Sequence, residues 1–512
     1  MTPGEQREAR AYRFGPLERR GVAGGLRLGQ VVCLACAGAT AVLALRLLPS
    51  ATGLLTAVVL TGVAAFLSFA PIAGRTPEEW LPIVLDWLGG VATGSHRFRS
   101  RQPTTGVSAL LDGSHAKREL DLPPPLAGCE ILSVPVADGH ELGVFKDRRL
   151  GAYTAVLSVR ARSIGLLPTS EHERRLDRWG RLLASLARGG TAIRRVQVLE
   201  RTAPCDAGAL TEFLEQARDP SVADDHAARR SYDALLDGAS RVTQDHEVLI
   251  AVQVDQRRAW SRAARDPHLR NLDRDEQASR VLARELQALA SRFDPVDLAV
   301  AGLLTPEQYA TALNVAFDPY RGETQPLAAA ADTFAPTAAD MAWTAWRTDG
   351  ALHRTYWIAQ WPRLAVGPLF LSPLLLGVQA VRSVSITLEP VPPDRARRAV
   401  EAAITSDEAD EDLRERRGFR TTARRRRQQE ATLRREDELA SGHEEVRFAG
   451  YVSVSGRDED ELARACEEVE QAALQAHLDL RPLWGEQDTG FVYAALPIAR
   501  GLRAQGPAGA WT

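Results

Sequence analysis

Two apolar stretches near the N-terminus decide how this chain can fold: residues 29–48 (GQVVCLACAGATAVLALRLL) and residues 53–72 (GLLTAVVLTGVAAFLSFAPI). Each has about the 20 residues that a helix needs to cross the roughly 30 Å of hydrocarbon in a bilayer. The first carries a single charge, Arg46, near its end, and the second carries none. Because only four residues separate them, we predict an antiparallel two-helix transmembrane hairpin over residues 28–72. A buried helical hairpin in a soluble protein is the alternative.

Arginines flank the predicted hairpin on both sides, whereas the turn inside it carries no charge. Those before it are Arg7, Arg10, Arg13, Arg19, Arg20 and Arg27, and those after it are Arg75, Arg97, Arg99 and Arg101. Positively charged flanks stay in the cytoplasm during insertion. We therefore expect a multi-pass protein of the inner (plasma) membrane with both termini cytoplasmic, residues 1–27 forming an N-terminal arm. A cleaved signal peptide fits less well, because the first stretch is too long and a second follows at once.

The predicted hairpin contains small residues that would let its helices pack closely, against each other or against a partner. They include Gly38, Ala39, Gly62, Ala64 and Ala65. Cys33 and Cys36 have the spacing of a redox or zinc pair, but no second Cys/His pair accompanies them. We interpret both cysteines as small packing residues of an apolar helix.

Residues 73–125 are predicted to form a juxtamembrane helix and a polar, proline-bearing linker. An apolar stripe recurs there at helical spacing, comprising Trp80, Ile83, Val84, Trp87 and Leu88. Two tryptophans this close to a membrane exit indicate a helix at the level of the lipid headgroups. A helix packed on the soluble body is the alternative.

The remaining chain predicts an α+β fold, a large cytoplasmic body built of split β-α-β units in two regions, 126–300 and 301–512. Strands are expected at 151–160, 193–200, 248–254, 354–361, 384–388, 446–454 and 491–498, and long helices at 276–292 and after Asp458. The strand at 248–254 is apolar at every position but one, which predicts a strand covered on both faces. The apolar run 364–378 contains Pro368 and Pro373 and is predicted to be core or loop.

A densely charged helix is predicted over residues 407–445. Its centre is a basic run of Arg424, Arg425, Arg426 and Arg427. Acidic residues nearly cancel this charge, and Phe419 is the one aromatic residue nearby. We interpret the segment as a solvated helix, which makes nucleic-acid binding unlikely. Docking of a partner protein and phosphate contacts to nucleic acid remain the alternatives.

Composition and motifs point away from catalysis. The balance of 63 basic and 66 acidic residues excludes a generally basic nucleic-acid coat protein. The two lysines, Lys117 and Lys146, do not follow glycine, so the chain has no P-loop. Five scattered cysteines suggest no disulfide framework. No HExxH, GxGxxG or GxSxG motif is present. We therefore predict a protein that is not an enzyme, with no catalytic, cofactor-binding or metal-binding residues.

Four stretches resemble a known family. They are RFGPLERR (13–20), RTPEEWLP (75–82), YWIAQWP (356–362) and ELASGH (438–443). In these stretches the chain resembles the actinobacterial PrgI-like membrane proteins, which occur with conjugation and type IV secretion-like systems. The resemblance covers nearly the whole chain. It implies that the hairpin is similar to the two-span inner-membrane subunit of such machines. The body resembles the N-terminal domain of TraC/VirB-type secretion ATPases, without the motor.

The expected function is a membrane scaffold that tethers a separate secretion or conjugation ATPase at the cytoplasmic face. Its expected partners are the lipid bilayer, that ATPase, channel subunits and a second copy of the chain. One alternative is a membrane-anchored DNA-handling protein that uses the arginine run. Another is a membrane-anchored enzyme whose site is not recognisable from sequence.

Overall fold

The protein is described from a computed structural model. The described residues are 28–47, 50–70, 72, 74–100, 121–136, 140–161, 167–187, 191–204, 216–217, 226–240, 244–321, 333–416, 423–442 and 444–502. They divide into two compact units. The first takes its described residues from Arg97–Val400 and Arg434–Leu502, and the second from Gly15–His96 and Glu401–Leu433.

The described residues form both helices and strands. The helices are α1 (Leu28–Leu47), α2 (Ala51–Phe69), α3 (Pro77–Thr93), α4 (Thr169–Ala187), α5 (Ala227–Ser240), α6 (Gln256–Ala263), α7 (Arg274–Ala290), α8 (Pro306–Phe317), α9 (Ser372–Leu376), α10 (Pro393–Arg416), α11 (Ala423–Ala440), α12 (Glu459–Gln475) and α13 (Gln487–Ala495). The strands are β1 (Arg97–Arg99), β2 (Cys129–Pro135), β3 (Glu141–Asp147), β4 (Ala152–Ala161), β5 (Ile193–Pro204), β6 (Gln244–Asp255), β7 (Leu298–Leu303), β8 (Ala338–Met341), β9 (Trp346–Arg347), β10 (Leu352–Gln360), β11 (Arg382–Pro390), β12 (Val446–Gly456) and β13 (Asp479–Pro482).

All of these strands belong to one antiparallel sheet in the first unit. Its order is β1-β8-β9-β10-β12-β11-β5-β6-β4-β3-β2, with β13 paired to β10 and β7 paired to β4. The predicted body regions 126–300 and 301–512 therefore contribute to the same sheet. The chain is a mixed α+β protein whose body is a large antiparallel sheet.

The two halves of the sheet have the same strand order. The order is β7-β4-β6-β5 in the first half and β13-β10-β12-β11 in the second. In each half a long helix connects the third strand along the chain to the fourth. Helix α7 lies between β6 and β7, and helix α12 lies between β12 and β13. The halves meet where β5 pairs with β11, from Thr202 opposite Arg382 to Val196 opposite Leu388.

Both faces of the sheet are covered. On β6, Ile250 and Val252 belong to a core that includes residues of α4, α6 and α7. Leu249 and Ala251, which alternate with them, belong to a core with α8 and α13 on the opposite face. The prediction of a strand covered on both faces is confirmed. Side chains alternate between the two faces of the sheet along each strand. In the second half, α12 and α9 pack on the same face of the sheet as α7 does in the first half.

The predicted strand over residues 491–498 is wrong. The structure has helix α13 as far as Ala495, and six of its nine residues are buried. A continuous apolar run fits a buried helix as well as a buried strand, so its period could not decide between them. The predicted charged helix 407–445 also differs, because its residues fall on two helices, α10 and α11.

Residues 496–502, which we call the C-terminal strap, are held against the sheet by buried polar side chains. The strap lies on the α13 face, and its peptide groups bond to side chains of four neighbouring strands. Gln253 donates to the Ile498 carbonyl (3.1 Å), Gln197 accepts from the Ala499 amide (2.7 Å), Thr387 donates to the Arg500 carbonyl (2.9 Å) and Tyr451 donates to the Gly501 carbonyl (2.7 Å). The strap thus joins strands of both halves.

An ion pair fixes the strap at a further strand. The Arg500 guanidinium donates from Nε (2.9 Å) and Nη2 (2.6 Å) to Asp147 Oδ2 on β3, and from Nη1 to the Pro125 carbonyl (2.6 Å). Both charged side chains are buried. Removing the cation would leave the carboxylate uncompensated in a medium that solvates it poorly.

We therefore expect Arg500→Met to lower the free energy of unfolding by about 3–5 kcal/mol, the usual cost of breaking a buried ion pair. Arg280→Met is the matched control, because Arg280 pairs with Glu276 one turn earlier on the surface of α7. The control should cost only about 0.2–0.5 kcal/mol. Denaturant unfolding of the full chain in detergent measures both variants, and equal costs would contradict a structural role for the strap.

Candidate functional site: the apolar N-terminal helices

Helices α1 and α2 expose large apolar side chains along most of their length. Leu47 is 71% exposed and Leu55 is 66% exposed. The other exposed members are Val32, Val42, Leu43, Leu45, Leu54, Val58, Val59, Leu60, Val63, Phe66 and Phe69. A continuous apolar surface of this extent on a protein marks contact with lipid or with another protein.

One helix in the described part of the chain is long and apolar enough to cross a membrane, judged by length and composition. It is Gly29–Leu47, near the N-terminus, and 6% of its apolar window is buried within the protein. The core helix of a soluble protein passes the same test but is mostly buried, and a signal sequence near the N-terminus passes it as well. The apolar stretch of the next helix, Ala51–Phe66, is shorter.

Small residues form the contact between α1 and α2. The buried positions are Ala37, Gly53, Ala57, Ala64 and Ser68. Two pairs of these lie four residues apart on α2, which allows close approach of the helix backbones. Among the small residues predicted from the sequence, Ala64 lies in this contact and Ala65 is half-buried. Gly38, Ala39 and Gly62 are exposed.

A polar contact fixes the two helices in antiparallel register. The Gln30 amide, in the first turn of α1, donates from Nε2 to the Ser68 carbonyl in the last turn of α2 (2.7 Å). Gln30 and Ser68 are both buried. Because this N–H group bonds to a carbonyl of the other helix, it has a partner even in surroundings without water.

Helix α3 is apolar on more than one face. Of the predicted stripe, Trp80, Ile83, Val84 and Trp87 are half-buried, whereas Leu88 is exposed. Leu81, Leu85 and Val91 are exposed as well. The Trp80 indole donates to the Ile72 carbonyl (2.9 Å), and the Arg75 guanidinium lies 5.3 Å from the centre of the Trp80 ring. A helix with no fully buried residue and exposed leucines is typical of a membrane–water interface.

The other residues singled out from the sequence form no site in the described part of the chain. Cys33 is half-buried and Cys36 exposed, and both are free thiols. Of the arginine run, Arg426 is exposed, and the side chains of its three neighbours lie outside the description. Gln429 and Glu411 join α11 to α10 by a hydrogen bond (3.0 Å). The described residues contain no group of His, Cys, Asp and Glu that could hold a metal ion.

Sequence reasoning missed a buried histidine in the sheet. His353 on β10 bonds through Nδ1 to the Ser455 hydroxyl (2.8 Å) and through Nε2 to the Thr348 hydroxyl (2.9 Å). Burial lowers the pKa of His353 to about 3, so the ring stays neutral at physiological pH. Because the ring is fully enclosed, we interpret the group as structural.

Sequence reasoning also missed an ion-pair network around Lys146. Its ammonium group lies 2.5 Å from Asp275 and 3.0 Å from Glu130, and the Tyr153 hydroxyl donates to Asp275 (2.7 Å). Burial opposes the charge, but the hydrogen bonds to the two carboxylates outweigh it and raise the pKa of Lys146. These residues are far apart in the chain, so no local pattern could have revealed the network. Lys117 lies outside the described residues.

Comparison with known proteins adds no identification. No protein-family model matches the chain, and no curated protein matches it.

The hairpin contact predicts different outcomes for neighbouring substitutions in α2. Ala57→Phe places a ring in the tight contact with α1 and should lower the temperature at which the detergent-solubilised chain loses its monodisperse peak. Val58→Phe is the control, because Val58 is exposed and has room for the ring. Size-exclusion chromatography after heating measures both. Identical behaviour would mean that α1 and α2 do not pack as described.

The buried histidine predicts a pH dependence. Because the folded pKa lies below the ordinary value of 6.5, the unfolded chain binds the proton first as the pH falls. The contribution of the neutral His353 ring to the free energy of unfolding is therefore fully present above pH 6.5. It declines as the pH falls towards 3, by up to about 1.4 kcal/mol per pH unit. His353→Gln removes the titration. The free energy of unfolding, measured with denaturant, should therefore fall less for this variant than for the natural chain when the pH is lowered from 7 to 4.5. An equal fall in both proteins would contradict the assignment.

Proposed function

We propose that this protein is a non-enzymatic integral membrane scaffold. Its α1–α2 hairpin crosses the bilayer twice, and its α+β body lies at the cytoplasmic face. The observation that carries the proposal is the row of exposed large apolar side chains on α1 and α2. Helix α2 has 19 residues. At 1.5 Å per residue it is about 28 Å long, close to the roughly 30 Å of a hydrocarbon core.

The orientation of the hairpin follows from the charges that flank it. Arginines precede α1 and follow α2, and the connection between the helices carries none. Keeping both flanks in the cytoplasm places both termini there, in the inner (plasma) membrane. The exposed leucines of α3 support a position at the headgroup level, directly after the second crossing.

The proposed role of the body is to dock a separate ATPase of a conjugation or type IV secretion-like system. The resemblance to PrgI-like membrane proteins supports this role. The identical strand order of the two sheet halves supports a body of two split β-α-β units. Because the chain has no P-loop, the motor would be another protein. Tethering that motor at the membrane would raise its effective concentration at the channel.

Reporter fusions test the proposed topology. A fluorescent protein that folds only in the cytoplasm should be bright at either terminus. Alkaline phosphatase, which is active only outside the cytoplasm, should be active only when inserted between α1 and α2. Phosphatase activity at a terminus would contradict the two-crossing orientation.

Recruitment tests the proposed role. When the chain and a conjugation or secretion ATPase from the same genome are produced together, the ATPase should sediment with membranes. Replacing the lipid-facing Leu43 and Val58 with lysine should release both proteins together, whereas lysine at Leu150, an exposed leucine of the body, should release neither. An ATPase that stays in the soluble fraction beside a membrane-bound scaffold would contradict the docking role.

A further inference from the structure

A second apolar surface lies on the sheet unit, in the connection from β10 to β11. Residues 364–381, which we call the apolar loop, contain no charged side chain. Their one helix, α9, has 5 residues, with Pro368 before it and Pro373 in its first turn. The prediction that residues 364–378 form core or loop is confirmed, since the segment is a loop. Much of its apolar surface lies outside the core.

The leucines of the apolar loop fall into two sets. Leu364 is 69% exposed and Leu376 is 72% exposed, and Leu369 is exposed as well. In contrast, Val366, Leu374 and Val378 are buried, and the last two belong to the core beneath α12. The inward set therefore fixes the loop to the body, and the outward set contributes nothing to the core.

A buried arginine holds the loop in this conformation. Arg382, at the start of β11, donates to the carbonyls of Leu374 (2.9 Å), Leu375 (2.6 Å) and Val378 (3.0 Å). The Glu468 carboxylate on α12 accepts a hydrogen bond from the backbone N–H of Gln379 (2.6 Å). Because the loop backbone is held on both sides of Leu376, this leucine cannot turn inward without breaking those bonds.

We infer that the apolar loop is a second membrane contact, seated at the boundary between lipid headgroups and acyl chains. This inference rests on the proposed membrane anchoring of the chain. The neighbouring groups fit the same boundary. Arg363 is exposed at the start of the loop, where it can meet anionic headgroups, and Trp361 stacks edge-on against the exposed Phe448 at 5.3 Å. Arginine and tryptophan beside exposed leucines are typical of interfacial segments.

The backbone of the loop limits how deep it can lie. Irregular backbone leaves peptide groups without partners, so it does not enter the hydrocarbon core. Only the outward leucine side chains would reach the acyl chains. A partner helix is a poorer fit than lipid, because a helix of five residues offers no stripe at i, i+3, i+4 and i+7 for it to follow.

Site-specific photocrosslinking tests the inference on the full chain. A photoreactive phenylalanine analogue replaces Leu369 or Leu376, one at a time, in vesicles of phosphatidylcholine and phosphatidylglycerol. Mass spectrometry after illumination should find lipid adducts at both positions. Position 150 is the matched negative control, because Leu150 is an exposed leucine in a turn between strands. It should give no lipid adduct above background.

Position 43 on α1 separates this inference from the proposed function. Lipid adducts at 43 without any at 369 and 376 would overturn the second contact and leave the hairpin anchor in place. Adducts at 369 or 376 to a second copy of the chain would overturn it too. Absence of lipid adducts at 43 would overturn the anchor itself. Thermal unfolding of each variant checks that the replaced side chain, which is exposed, leaves the fold unchanged.

Discussion

Helices α1 and α2 bond their own backbone but leave their largest side chains without protein cover. The fully buried positions at their contact are small residues and one glutamine, and most of the leucines, valines and phenylalanines point outward. Exposing such a side chain to water costs about 1.5–3 kcal/mol relative to burying it. Thirteen of them are exposed on these two helices, an apolar surface large enough to mark contact with lipid or with another protein. A bilayer removes this cost, and the proposed scaffold role depends on that.

The first compact unit, which contains the sheet, buries a layer of polar side chains. Threonine, glutamine and tyrosine side chains are buried on the α13 face of the sheet. Their partners are the peptide groups of the C-terminal strap, which lies against that face. Each of these side chains thereby has a hydrogen-bond partner, and the same bonds connect strands of both halves. The two halves with equal strand order are joined by the strap as well as by the β5–β11 pairing.

The sequence allowed most of the elements with strong periodicity to be predicted. Strands β4, β6, β10, β11 and β12, helix α7 and the Asp458 cap of α12 lie where alternation, helical spacing and capping placed them. Residues 491–498 were mispredicted because a run apolar at nearly every position has no readable period. The strap, the His353 group and the Lys146 network could not be predicted, because their members come together only when distant strands pair. Among the apolar residues of α1 and α2, the sequence indicated the length of the helices but not which small residues would meet.

The most direct measurement of the central claim is alkaline carbonate extraction of membranes that contain the full-length chain. Carbonate removes proteins held by charge or by other proteins and leaves those whose helices lie in the hydrocarbon core. If α1 and α2 are covered by lipid, the chain stays in the membrane pellet and is released only by detergent. Recovery of the intact chain in the carbonate supernatant would show that something other than lipid covers these helices.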